Sequence, residues 1–254
     1  VAAGTPAPPR VQDVYSLRCG PQVHGPVREA LAYVSGIIGT EINSATDNPL
    51  VFENGKGGYE IISGGHFHGQ YVAQAMDLLG MSVADLGSIS ERRLARLVDP
   101  TMSYGLPRNL LAGKRGLNTG YATVQCSMSA LVMENRTLSM PGSVDSIPGK
   151  SNAEDHVSNS TWCGRKARTI VANTEMIVAG EILMAAQALS LVEDLAGEHP
   201  IGTGARAALA AVRKVIEPAL SGDRWYGIEM QQALELVRSN ALVEAVESVV
   251  GTLE

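Results

Sequence analysis

From about Phe67 to Val98, apolar side chains recur at helical spacing, through Val72, Met76, Leu79, Val83, Leu86, Ile89 and Leu94, and the pattern stops just before Pro100. A helix of that length belongs to a bundle. Two further long segments follow the same logic, from about Gly120 to Met140 and from about Glu154 to Leu191, bounded by Pro and Gly signals. Both are apolar around much of their circumference, which fits burial inside a bundle or a subunit interface. A further helix is predicted from Pro26 as its first residue, through Leu31, Val34, Ile38 and Ile42, ending in the polar stretch Asn43 to Pro49. Shorter helices are expected at 203–217, 227–238 and 241–250. Residues 50–62 place Val, Phe, Tyr and Ile around the Gly-rich turn Asn54 to Gly58, which predicts a small β-hairpin or an ordered loop. With 45% hydrophobic but only 4% aromatic residues, the chain is built from helix formers and has too little strand for a sheet-based fold. The reading is an all-α bundle of long helices with functional loops at 11–25, 63–68 and 141–154.

A length of 254 residues fits one large domain or part of a bigger one. The first ten residues carry three prolines and no apolar period, so residues 1–10 are expected to be a flexible Pro-rich arm, with 11–254 forming the helical body. A net charge of -6 with scattered basic residues argues against nucleic acid and against an anionic membrane surface. A small substrate is the better partner. Cys19, Cys126 and Cys163 have neither CxxC spacing nor an even count, so reduced thiols in a cytoplasmic protein are expected. No run of 18 apolar residues and no basic-apolar-small leader appears, so neither a membrane span nor secretion is expected.

Residues 11–18, Val-Gln-Asp-Val-Tyr-Ser-Leu-Arg, concentrate an amide, a phenol and a guanidinium. An arginine can clamp a carboxylate in two parallel charge-assisted hydrogen bonds, a tyrosine can trade a proton and a glutamine can hold an oxyanion. Together Gln12, Tyr15 and Arg18 read as a site for an amino or other organic acid. The plainer alternatives are a surface salt bridge for Arg18, a packed Tyr15 and a turn-capping Gln12. Tyr15 and Arg18, three residues apart, share a face on a helical turn and point apart on a strand. The stretch Gly64-Gly65-His66-Phe67-His68-Gly69 precedes the longest helix, where glycines allow close backbone approach. His66 and His68 invite a metal, but no zinc spacing such as HExxH accompanies them, and no metal site is expected. Phe67 is either an aromatic pocket wall or a staple onto the following helix. Ser151-Asn152-Ala153-Glu154 has the form of a capping box, so Glu154 either closes a helix start or holds a substrate imidazole or ammonium. The loop Gly113 to Gly120 lacks a Walker pattern, which leaves phosphate binding weak.

Taken together, Gln12 to Cys19, Pro21 to Gly25, Asn43 to Pro49, Ser90-Glu91-Arg92-Arg93, Gly116 to Gly120, Ser143 to Pro148 and Glu154 to Ser158 resemble the aromatic amino acid ammonia-lyase and aminomutase family, with its histidine-specific branch nearest. These motifs follow family order over nearly the whole chain. The resemblance implies the long-helix bundle of the fumarase and aspartase type, in a tetramer whose active sites draw on more than one subunit. It implies that Arg18 holds the substrate carboxylate, that Tyr15 handles a proton or positions substrate, and that Gln12 lies close to the electrophilic prosthetic group. It makes Phe67 the aromatic wall, with His66 beside it, and Glu154 the glutamate that marks the histidine branch. The implied reaction eliminates ammonia from L-histidine to give trans-urocanate, using 4-methylideneimidazol-5-one formed from an internal Ala-Ser-Gly.

No Ala-Ser-Gly occurs in these 254 residues. The resemblance therefore implies a C-terminal half that acts only with an N-terminal partner carrying the electrophile, the product of a genetic split or a cut. Two positions depart from the family pattern. His66 replaces the usual asparagine, and Gly149-Lys150 replaces the usual Thr-Ser before the glutamate loop. They keep open a tyrosine ammonia-lyase or a tyrosine 2,3-aminomutase, and a non-catalytic assembly subunit is the third alternative.

Overall fold

The structure is a computed structural model and describes residues 11–149, 151, 153–192 and 201–253; the arm expected at 1–10 lies outside the described residues. The elements run α1 (Tyr15–Arg18), α2 (Gly20–Glu41), β1 (Leu50–Glu53), β2 (Tyr59–Ile62), α3 (Gln70–Leu97), a 3-10 turn (Arg108–Leu110), α4 (Ala122–Leu138), α5 (Ser160–Leu191), α6 (Thr203–Arg213), α7 (Tyr226–Arg238) and α8 (Ala241–Val250). Helix dominates, as the periodicity predicts. The chain divides into two compact units. Among the described residues, one is drawn from 11–23, 86–134 and 172–253, and the other from 24–85 and 135–171.

The first unit holds the larger apolar core, in which Leu94 of α3, Met128 of α4, Ile177, Leu183 and Met184 of α5 and Leu234 of α7 are buried together. Burying each such side chain contributes roughly 1.5–3 kcal/mol. Two buried polar side chains of this unit, Glu91 and Gln187, are satisfied by hydrogen bonds. Glu91 accepts hydrogen bonds from Gln125 Nε2 and Ser129 Oγ, each at 2.8 Å, and is paired with Arg92. The Gln187 amide accepts from the Ala219 N–H at 2.9 Å and donates to the Ala219 carbonyl at 3.1 Å. Helices α6 and α8 pack against each other. The loop before α4 serves structure, because Asp223 accepts from the Gly120 N–H at 2.8 Å and from the Thr119 N–H. At Gly120 φ is +70°, and an added Cβ would meet the Asn109 carbonyl oxygen at 2.4 Å, so only glycine fits there.

In the second unit β1 and β2 form an antiparallel hairpin in register Leu50↔Ile62 to Glu53↔Tyr59. Asn54 Oδ1 closes its turn by accepting from Lys56 N at 2.9 Å and Gly58 N at 3.1 Å. Asn48 Oδ1 accepts from Ser63 Oγ and Gly64 N, both at 3.0 Å, and so ties the hairpin to the glycine loop before α3.

Three expectations are corrected. Helix α2 begins at Gly20, so Pro26 lies inside it and not at its first position. Helical bonding already starts with Val23 N donating to Cys19 O at 3.3 Å, and Pro26 merely leaves the Gln22 carbonyl without its usual donor. The loop expected at 11–25 is therefore mostly helical turns. Helix α5 begins at Ser160, so Glu154 is no helix cap. Its neighbourhood is committed to loop bonds instead: Gly149 N donates to Glu154 O at 2.6 Å, and Val157 N donates to Ser146 Oγ at 2.8 Å. By length and composition α5 could cross a membrane, but Ile177, Leu183 and Met184 on it are core positions.

Candidate active site

In the first unit the Gln12 to Arg18 stretch folds as a single helical turn, with Leu17 N and Arg18 N donating to Val14 O at 3.1 and 3.0 Å. Helical spacing brings the Arg18 guanidinium over the Tyr15 ring, 4.7 Å from its centroid. Arg18 Nη2 donates to Gln12 Oε1 and Arg18 Nε to the Asp13 carbonyl, both at 2.9 Å. The three residues singled out in the sequence are thus one cluster. Tyr15 is 70% exposed, so it is not a packed tyrosine, and the Gln12 side-chain oxygen is used on the guanidinium. Among the described residues Arg18 has no carboxylate within salt-bridge distance. Its charge is therefore available to an external carboxylate, held on neutral acceptors that orient it without neutralising it.

Two supports lie under this turn. Tyr104 Oη donates to Asp13 Oδ1 at 3.4 Å, and Arg93 Nη1 of α3 donates to the Ser16 carbonyl at 3.2 Å. Arg93 is also forked onto Glu181 of α5. The motif containing Arg93 is visible in the sequence, but nothing local to it points to Ser16.

The second unit carries the other candidates. Phe67 is 58% exposed, so it is not a staple on α3, and His66 is also exposed. Glu154 is exposed in the loop between α4 and α5. The structure brings these two loops together, because His68 Nε2 donates to the His156 carbonyl at 3.0 Å and their rings stack in parallel at 5.6 Å. The base of the Glu154 loop is fixed by groups that sequence reasoning missed. Asp77 of α3 accepts from Ser143 N at 2.8 Å and from Lys166 Nζ at 3.0 Å, and Lys166 also donates to the Met140 carbonyl. Gln70 Nε2 donates to Ser143 O at 3.0 Å, while Asn159 Nδ2 donates to Asp145 O at 2.7 Å. Burial pushes the Asp77 carboxyl up, but the Ser143 amide, the Lys166 hydrogen bond and the Lys166 charge together bring it below its ordinary value. Beside this pair the Cys163 thiol is pushed up to about 11, by burial first and by the Asp77 charge second. That thiol is inert at neutral pH. A charge in the middle of an apolar helix face was the one available signal for Asp77 and Lys166.

Residues 3–214 match the model of the family described as aromatic amino acid lyase. The chain belongs to the aromatic amino acid lyase family. A histidine ammonia-lyase of Symbiobacterium thermophilum is 47% identical over 249 residues, covering 98% of this chain and 47% of the relative. The crystal structure of histidine ammonia-lyase from Trypanosoma cruzi superposes with a TM-score of 0.85 at 41% identity, covering 96% of this chain and 46% of that one. A tyrosine aminomutase from Streptomyces globisporus gives a TM-score of 0.85 at 35% identity, covering 99% of this chain and 47% of that one. The chain therefore spans about half the length of the relatives it matches. Family membership agrees with the all-α reading of the long helical periods, and the small hairpin is its β element.

Proposed function

We propose that this chain is the C-terminal part of an ammonia-lyase that eliminates ammonia from L-histidine to give trans-urocanate, in a cytoplasmic tetramer, together with an N-terminal half. The observation that carries the reading is the exposed turn in which Arg18, unneutralised, is oriented by Gln12 and stacked on Tyr15. Arg18 clamps the substrate carboxylate and Tyr15 handles a proton or positions substrate at the reacting carbons. At the ring end of the substrate, Phe67 is the aromatic wall, with His66 beside it. Glu154, a carboxylate free of helix capping, accepts a hydrogen bond from the imidazole and so selects histidine.

The family's prosthetic group, 4-methylideneimidazol-5-one, forms from Ala-Ser-Gly, and these 254 residues contain no such tripeptide. The chain's donor chemistry suits the group: the Gln12 oxygen is engaged by Arg18, which leaves the amide N–H donors for a ring carbonyl. That group supplies the electrophile that converts a poor amine leaving group into a competent one. The half-length match to relatives supports an electrophile supplied from outside this chain. A second reading, tyrosine ammonia-lyase or tyrosine 2,3-aminomutase, draws support from the equal TM-score of the tyrosine aminomutase and from His66 at a position usually held by asparagine. Intact masses of every polypeptide in the native assembly test the proposal. A second polypeptide, or a longer form of this one, lighter than its encoded mass by two waters is expected. Assemblies with no dehydrated Ala-Ser-Gly contradict it and favour a non-catalytic assembly subunit.

A further inference from the structure

Arg93 of α3 uses its guanidinium on two partners at once. Nε and Nη2 form a fork on the Glu181 carboxylate of α5, and Nη1 donates to the Ser16 carbonyl at 3.2 Å. The carboxylate is itself fixed, because the buried Ser90 hydroxyl donates to Glu181 Oε2 at 2.6 Å. Ser16 stands between Tyr15 and Leu17, and Leu17 lines an apolar cavity of about 250 Å³ together with Leu97, Leu106 and Ala185. The backbone of the turn is thus gripped by a hydrogen bond at residue 16, and the half-exposed Leu17 beside it borders that cavity.

The charge of Arg93 is already neutralised by Glu181, so it has little to offer a substrate directly. Its planar fork nevertheless fixes where the third donor points, which a lysine ammonium on a flexible stem does not reproduce. One residue separates this four-residue turn from α2, and within so short a segment a grip on the Ser16 carbonyl bears directly on where Arg18, two residues on, points. We infer that Arg93, with Glu181 and Ser90 behind it, is a positioning unit that aims the Arg18 guanidinium at the carboxylate of the bound ligand. The inference rests on the reading of Arg18 as the carboxylate clamp.

The test is made on the active assembly with two unreactive ligands, imidazole-4-propionate and the neutral 4-propylimidazole, whose affinity ratio reports the carboxylate contact alone. Arg18→Ala is expected to lower that ratio about 100-fold by removing the charged fork. Arg93→Gln is expected to lower it about tenfold with propylimidazole affinity unchanged, to be rescued only in part by Arg93→Lys, and to add nothing in the Arg18→Ala background. A merely structural role would weaken both ligands alike. If Arg18→Ala collapses the ratio and Arg93→Gln leaves it unchanged, or if the two losses add, the positioning role is overturned while the clamp stands. If Arg18→Ala leaves the ratio unchanged, the clamp reading itself fails and takes the inference with it. Should Arg93→Gln fail to assemble, Ser90→Ala is expected to lower the ratio about threefold by loosening Glu181, and no change there counts against the inference.

Discussion

The turn that carries Arg18 and the loop that carries Glu154 are fixed in opposite ways. In the turn, Arg18 reaches partners five and six residues away, and Tyr15 under its guanidinium is three away, so the cluster is largely self-assembled. Long-range contacts only orient it. The loop between α4 and α5 instead hangs from a buried ion pair on two helices, with Asp77 and Lys166 each 5% exposed, and from His68 at its tip. Taking two charges out of water costs several kcal/mol each, and the network offsets this only while all its members are present. A recognition element made of neighbours in sequence keeps its fold, though not its aim, when a distant contact is lost, whereas one hung from a buried pair loses both.

The largest expected effect breaks the loop side of this contrast. Lys166→Met leaves Asp77 charged and unpaired in the interior and is expected to destabilise the assembly by about 3–5 kcal/mol, read as a shifted urea midpoint. Adding Asp77→Leu should recover part of that, though not all, since the Ser143 N–H then loses its acceptor at a cost of about 1–3 kcal/mol. Full stability in Lys166→Met would remove the buried pair as an anchor. Next in size, Arg18→Ala is expected to lower kcat/KM about 100-fold or more with the denaturation midpoint unmoved, because the turn is exposed and locally built. An unfolded Arg18→Ala assembly would mean that the two regions are not as different as their contacts imply.

Glu154→Gln sharpens the substrate assignment. It is expected to cost about tenfold in kcat/KM with histidine and little with tyrosine, since an amide replaces a charged acceptor. Equal losses would count against the imidazole contact. A smaller effect follows from Asp77, whose folded-state pKa lies below the ordinary carboxylate value. Its stabilisation is fully present above the ordinary value of 3.8 and is lost as pH falls below it, so Asp77→Asn should flatten the acid limb of the stability curve. The subtlest test is chemical: at pH 8 a maleimide should modify the exposed Cys126 and spare the buried Cys163 unless the Asp77 and Lys166 pair is broken.

The same contrast explains what the sequence disclosed. Helical periods placed α3, α4 and the core of α5 because buried apolar faces leave a local trace, and Gln12, Tyr15 and Arg18 were legible because their contacts span a single turn. The α5 start was not, because a capping-box spelling at Ser151 to Glu154 lost to loop bonds from Gly149, Ser146 and Asn159. Pro26 misled in the same manner, since tertiary context accepts a proline inside α2. Asp77 with Lys166 is separated by 89 residues and Arg93 from Ser16 by 77, and no local pattern encodes partners at such distances.

The measurement that bears most directly on the central claim is the rise in ultraviolet absorbance of a conjugated acid product when L-histidine is added to the native assembly containing this chain. Urocanate and ammonia in equal amounts from the assembly, with none from the 254 residues alone, is the predicted result. Turnover by the 254 residues alone, or an assembly with a dehydrated Ala-Ser-Gly that leaves histidine untouched, would contradict it.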